Sequence, residues 1–271
     1  MKKLKIGLIG CGAMGREIAR AVDAEFKDSA VLLAITDIDE KKTRALRSSL
    51  KQKPDILTVE KLIKASDLII EAASAKASGG IAKKAVANKK DILIMSVGGI
   101  IGMYPSLFAR AKKNGCRVYL PSGAVCGLDG VKAAALGRID KVELTTRKPP
   151  EGLKGAPFVE KNKIDLDQIK SDTVIFEGSA REAIRGFPAN INVSCVLSIA
   201  GIGPNDTRVK IIASAESRAN IHEIIVQGAF GKLTARTENV PSPANPKTSH
   251  LAILSAIAVL RQIFEPAKVG T

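Results

Sequence analysis

The sequence predicts an α/β chain, with an N-terminal doubly wound parallel sheet followed by an α+β domain built on a mainly antiparallel sheet. Three observations lead there. A glycine-rich turn, Gly10-x-Gly12-x-x-Gly15, follows the apolar run Lys5–Ile9 and opens an amphipathic segment, Arg16–Val22. Short apolar runs then alternate with helical patterns as far as residue 121. Beyond that point polar and apolar residues alternate within successive runs separated by short turns, the pattern of antiparallel strands with one face solvated.

The elements follow in order. Lys5–Ile9 is the first strand and Val31–Thr36 the second, ending at Asp37. Leu68–Ala73, Asp91–Val97 and Arg117–Leu120 are further apolar runs of the kind buried on both faces of a parallel sheet. Helical patterns at Glu40–Leu50, Val59–Ala65, Gly80–Asn88 and Tyr104–Lys113 fill the gaps, the rhythm of right-handed crossovers. After a predicted helix at Leu128–Leu136, strands are expected at Lys141–Thr146, Thr173–Glu177, Arg208–Ala213, Asn220–Val226 and Lys232–Thr237. Helices at Ala180–Arg185 and Asn192–Ala200 sit among them, and Pro149–Asp172 is polar and reads as a loop or irregular segment. Pro246–Phe264 is an apolar helix that needs burial on most sides. The expected domains are therefore 1–121, a dinucleotide-binding unit, and 122–245, a substrate and catalytic unit. Residues 246–271 are expected to pack back on the first domain or at a subunit interface.

The glycine turn carries the first functional expectation. Gly10 permits a tight strand-to-helix turn, Gly12 lets backbone approach a pyrophosphate, and Gly15 lets helix pack closely on strand. With Ala13 and Met14 they form the predicted cofactor turn, at a helix N-terminus whose N–H groups suit an anion. Asp37 stands about 20 residues beyond the last glycine, where a ribose 2′-hydroxyl acceptor belongs. The combination reads as a Rossmann domain for NAD. Lys41, Lys42 and Arg44, just past Asp37, soften the bias against NADP.

Composition narrows the rest. Of 271 residues, 42 are Lys or Arg and 27 are Asp or Glu, a formal charge of +15. The basic residues are scattered, aromatics make up 3%, and no nucleic-acid motif appears, so a nucleic-acid partner is not expected. Cys11, Cys116, Cys126 and Cys195 are widely spaced without a CxxC pair, which reads as reduced thiols rather than a metal site. Lys2-Lys3 ahead of Cys11 imitates a lipoprotein leader, but the apolar stretch falls short of the roughly seven residues such a leader needs. No run approaches the roughly 18–20 apolar residues of a membrane span. A cytoplasmic protein is expected.

Three strand ends carry small or polar residues: the glycine turn, Glu71-Ala72-Ala73-Ser74 and Ser96-Val97-Gly98-Gly99, with Ser122-Gly123-Ala124 after the last strand of the first domain. Ligands bind at such ends in open α/β sheets. Only two histidines are present. His222 shares one face of its predicted strand with Asn220, and period-two spacing points both at one cavity. His250 falls in the apolar C-terminal helix and reads as a packing or cap residue. Histidine is the side chain best suited to proton transfer near neutrality, so His222 is the candidate acid or base.

These segments resemble the L-aspartate dehydrogenases over essentially the whole chain. Beside the glycine turn and Glu71–Ser74, the resemblance rests on Pro121–Asp129, Thr145–Lys148, Phe176–Ala180, Phe187–Val193 with Asn190 and Asn192, Asn220–Ile224 and Asn245–Ser249. It implies NAD(P)-dependent oxidation of L-aspartate to iminoaspartate, which hydrolyses to oxaloacetate and ammonia or feeds NAD biosynthesis. It also implies His222 as the catalytic residue and contacts from Ala124 and Asn190 to the cofactor. The substrate, a dicarboxylic amino acid, needs cationic or amide partners. Arg147 is the first candidate because its planar fork matches a carboxylate, with Lys148, Asn190, Asn192 and Asn220 as helpers. A homodimer is expected. The alternatives are another amino-acid or semialdehyde dehydrogenase of this architecture, or a non-catalytic dinucleotide-sensing protein.

Overall fold

The computed structural model describes residues 2–188, 192–217, 219–242 and 245–270. The chain divides into two compact units, Met1–Pro121 with Ala256–Ala267, and Ser122–Ser255 with Lys268–Thr271.

In the first unit, β1 (Leu4–Ile9), β2 (Ala30–Thr36), β3 (Asp55–Ile56), β4 (Leu68–Glu71), β5 (Asp91–Ile94) and β6 (Val118–Tyr119) form one sheet. All neighbours are parallel, in the order β3-β2-β1-β4-β5-β6. Strand order reverses between β1 and β4, the switch point at which such sheets bind dinucleotides. The crossovers are α1 (Ala13–Ala24), α2 (Glu40–Ser49), α3 (Val59–Ala65), α4 (Ala75–Ala87) and α5 (Tyr104–Asn114). Central β4 is buried at every residue and β1 from Ile6 to Ile9, as the continuous apolar runs require. Helix α2 starts where Asp39 caps it, accepting from Lys41 N at 3.0 Å.

Helix α4 begins five residues earlier than the apolar pattern suggests and runs through Gly79 and Gly80. A Cβ on Gly79 would lie 2.7 Å from the carbonyl oxygen of Gly99. The glycine therefore bares the helix face for the turn after β5, a tertiary gain that outweighs its roughly 1 kcal/mol helix penalty.

The second unit contains α6 (Leu128–Ala134), β7 (Ile139–Lys148), α7 (Pro157–Lys161), β8 (Thr173–Ser179), α8 (Ala180–Gly186), α9 (Asn192–Ala200), β9 (Arg208–Ala213), β10 (Asn220–Gly228) and β11 (Gly231–Asn239). Its sheet has the order β11-β10-β7-β9-β8. Every pair is antiparallel except β7 with β9. The segment expected to be a loop or irregular contains the short helix α7 and two short 3-10 turns. Phe158 of α7 organises it, with ring centroids 5.3 Å from Phe176 and 5.4 Å from Phe187.

The chain ends with β12 (Pro241–Ser242), β13 (Asn245–Ser249) and α10 (His250–Phe264). The first residues of the expected C-terminal helix are thus strand, paired to β12. From Ala256 onward α10 belongs to the first unit. Ala256 and Leu260 join Ile6, Leu8, Ile18, Val22 and Leu93 in that core, and Phe264 meets Phe26 at 5.3 Å between centroids. Among the described residues no helix is long and apolar enough to cross a membrane.

Candidate active site

The glycine turn lies at the C-terminal end of β1. Gly10 has φ +104°, and a Cβ there would sit 2.4 Å from the Ala72 backbone. A Cβ on Gly15 would fall 2.0 Å from the Gly10 carbonyl oxygen. Gly12 differs, because a Cβ there would meet no protein atom within 4 Å. The protein itself does not demand glycine at that position, which fits a residue left bare for a ligand phosphate. Helix α1 starts at Ala13, followed by half-buried Met14, with no acidic residue in its first turn and no side-chain cap at Gly12. Asp37 reaches over this loop: its Oδ2 accepts from Cys11 N at 2.6 Å and its Oδ1 from Asp39 N at 2.9 Å. Each carboxylate oxygen keeps a second lone pair, so the fixed Asp37 can still take a ribose hydroxyl. These residues fit a dinucleotide.

At the end of β4 the sequence reading singled out Ala72, Ala73 and Ser74, which are half-buried to exposed. Glu71, which the sequence places at that strand end without a role of its own, is fully buried. Glu71 Oε1 accepts from Ala73 N at 2.9 Å and Oε2 from Ser96 N at 3.0 Å. One carboxylate thus ties the turns after β4 and β5 together. Burial pushes its pKa above the ordinary carboxylate range, against the pull of those N–H donors.

The polar cluster of the second unit is built across three strands. His222 on β10 pairs in register with Thr146 on β7 and with Thr237 on β11. Cross-strand partners share a face, and Thr146 Oγ1 lies 3.0 Å from His222 Nδ1. His222 is 2% exposed. Burial, reinforced by the positive charge of Lys148, holds its pKa down at about 3. Lys148, two residues beyond Thr146 on the same face, is itself buried, and desolvation pushes its pKa down to about 8. On the far side, Thr237 Oγ1 donates to the Ala124 carbonyl at 2.8 Å and Asn239 Nδ2 donates to the same oxygen at 3.0 Å. Asn239 also donates to the Asn220 carbonyl at 3.2 Å, and Asn220 is buried. A cavity of about 10 Å³ adjoins Thr146 and Lys148, with Ser194 of α9 on its wall.

Arg147 requires a correction. It pairs in register with Ile221, one residue out of phase with His222. Strand alternation therefore sends its side chain to the opposite face of the sheet. There its Nε lies 3.3 Å from Asp172 Oδ2. Thus Arg147 does not join Thr146, Lys148 and His222. Asn192 is the exposed first residue of α9, and Asn190 lies outside the described residues. His250 is exposed at the start of α10, its N donating to the Val240 carbonyl at 3.0 Å. Thr146, Thr237, Asn239 and Glu71 receive no site role from the sequence, since their partners lie across strands or turns. No group of three or more His, Cys, Asp and Glu among the described residues is placed to hold a metal ion.

Comparisons with known proteins point to one family. Residues 129–263 match the family model for the aspartate dehydrogenase C-terminal region. Residues 10–121 match the homoserine dehydrogenase NAD binding domain. The chain is 48% identical to the L-aspartate dehydrogenase of Methanosarcina acetivorans, over 99% of this chain and 100% of that one. It is 43% identical to that of Nitrosopumilus maritimus, over 98% and 99%. Among solved structures, the aspartate dehydrogenase of Thermotoga maritima shares the fold with a TM-score of 0.77, at 24% identity, covering 99% of this chain and 100% of that chain. Identity sustained over the full length of both chains places this protein in the L-aspartate dehydrogenase family.

Proposed function

We propose that the chain oxidises the α-amine of L-aspartate to iminoaspartate, with a pyridine dinucleotide as hydride acceptor. The imine then hydrolyses to oxaloacetate and ammonia or is drawn into NAD biosynthesis. The observation that carries this reading is the buried pair of His222 and Lys148 on one face of a strand pair, in a chain that also presents a bare-backbone phosphate cradle at Gly12. A bound nicotinamide supplies acceptance of the hydride from the substrate Cα. Gly10, Gly12, Ala13, Met14 and Gly15 would receive the pyrophosphate, and Ala72, Ala73, Ser74, Ala124 and Asn190 would contact the rest of the cofactor. Asp37 would favour NAD, because a carboxylate accepts from a 2′-hydroxyl and repels a 2′-phosphate. NADP is the second cofactor, admitted by the nearby Lys41, Lys42 and Arg44.

The protein's own task is proton handling and carboxylate binding. An α-ammonium must lose a proton before Cα can release hydride, and His222 is the group that would accept it. Lys148 would pair with a substrate carboxylate, with Asn192 and Asn220 as amide partners. That pairing also assists His222. It cancels the positive charge that, together with burial, keeps the imidazole pKa low, and so raises the basicity of the ring when substrate is present.

The proposed setting is the cytoplasm, supported by four thiols of which none is in a disulfide. A homodimer is part of the reading, supported by half-exposed Ile221 and Ile225 on the outer sheet face. Light scattering giving a single-chain mass would remove it. The deciding assay follows nicotinamide absorbance with L-aspartate and homoserine, each with NAD and NADP. Reduction with L-aspartate, faster with NAD, is expected. Reduction with homoserine alone would assign the chain to another amino-acid dehydrogenase class.

A further inference from the structure

We propose that Thr146 is the positioning residue that selects the tautomer of His222, its Oγ1 accepting from Nδ1–H so that Nε2 presents the lone pair. The inference deepens the proposed function and rests on His222 being the proton acceptor there.

The geometry sets out the choice. Thr146 and His222 are register partners on adjacent antiparallel strands, both buried, with Oγ1 and Nδ1 3.0 Å apart. A neutral imidazole carries one N–H, and the hydrogen bond made by one nitrogen decides which nitrogen holds it. Threonine is stiff at χ1, so its hydroxyl oxygen is held in place by its own backbone. The other cross-strand neighbour has a different commitment. Thr237 donates its hydroxyl proton to the Ala124 carbonyl and accepts from Asn239 Nδ2 at 3.2 Å. Thr146 is therefore the neighbour whose hydroxyl engages the ring. Lys148 supplies the positive charge on this face, and with burial it keeps the ring neutral, so the ring carries one N–H at ordinary pH. Taking a proton from a substrate ammonium requires a free lone pair. The Thr146 hydroxyl can accept from Nδ1–H or donate to a bare Nδ1, and only the accepting arrangement leaves the lone pair on Nε2, as in other histidine bases oriented through Nδ1.

The test uses two variants and two readouts. Nitrogen NMR of the histidine rings in the full-length protein without substrate reports which nitrogen is protonated. With two histidines in the chain, a His250→Gln variant assigns the signals. The expected wild-type pattern is a protonated Nδ1 and an unprotonated Nε2. Thr146→Ser should keep it, and Thr146→Val should give a mixture of tautomers. In steady state, Thr146→Val should lower kcat for L-aspartate roughly ten- to hundredfold with KM little changed, and Thr146→Ser should restore most of it. A merely structural role for Thr146 would not move the ring protonation. A wild-type ring protonated on Nε2 overturns the proposal, as does a Thr146→Val variant that retains the Nδ1–H ring and full kcat. Wild-type protein that fails to oxidise L-aspartate would sink the proposed function instead, while the substrate-free spectra still decide the tautomer.

Discussion

At His222 burial and a neighbouring charge act in the same direction on one ring. The ordinary pKa of 6.5 falls to about 3, with desolvation the larger cause and Lys148 the smaller. Between those values the unfolded chain binds the proton and the folded chain does not, so folding stability falls as pH drops through that window. Replacing His222 with Gln should flatten this acid limb by an amount on the order of a few kcal/mol, measured as the wild-type minus variant difference in thermal unfolding across pH. Catalysis gives the second residue-scale expectation. His222→Ala should lower turnover by roughly 10²–10⁴-fold while NAD affinity, read by fluorescence titration, stays near wild type. His250→Ala is the control; its exposure means that both rate and stability should barely change. Much of this cluster was legible: two histidines narrow the search, and alternation groups Asn220 with His222. The same alternation argues against Arg147, because Thr146 and Lys148 take the His222 face. The choice of Arg147 for its guanidinium chemistry overlooked that phase. Thr146, though within the Thr145–Lys148 segment, and Thr237 have no role legible in the sequence, because a strand threonine is informative only once its cross-strand partner is known.

Among the elements, the turn from β1 into α1 separates the structural demand for glycine from the functional one. Gly15→Ala would press a methyl group against the Gly10 carbonyl oxygen at 2.0 Å, and the thermal midpoint should fall. Gly12→Val, with open space around its Cβ, should leave the midpoint nearly unchanged and abolish NAD binding in calorimetric titration. Normal NAD affinity in the Gly12 variant would reduce the turn to a structural feature. The spacing of the three glycines was readable, but the reason for each was not, since their neighbours come from Ala72 and from the loop's own carbonyls. Helix α4 shows the opposite failure. Gly79 and Gly80 look like a helix boundary in the sequence, yet the helix runs through both, and at Gly79 a distant turn occupies the space a Cβ would fill.

For the molecule as a whole, α10 is the element whose loss should matter most away from the glycine turn and the His222 cluster. Leu260 is fully buried in the first unit's core, and Leu260→Ala should cost about 2–5 kcal/mol, read as a lower midpoint in chemical denaturation. NAD titration of the folded variant should remain close to wild type. Composition and apolar periodicity were enough to foresee a parallel sheet followed by a mainly antiparallel one. They were silent on the parallel pairing of β7 with β9, because period-two patterning records which face is buried and not which strand lies alongside. They also could not divide α10, whose apolar run is uniform while its residues from Ala256 on belong to the first unit.

That division of the last helix has a consequence for how the protein is made. A ribosome releases the N-terminal 121 residues long before Ala256 and Leu260, so the nascent first unit waits with a gap in its core. At roughly 5–20 residues per second the wait is on the order of seven to thirty seconds. During that interval the apolar surface destined for α10 is open to chaperones, and the finished dinucleotide-binding half is among the last parts of the chain to close.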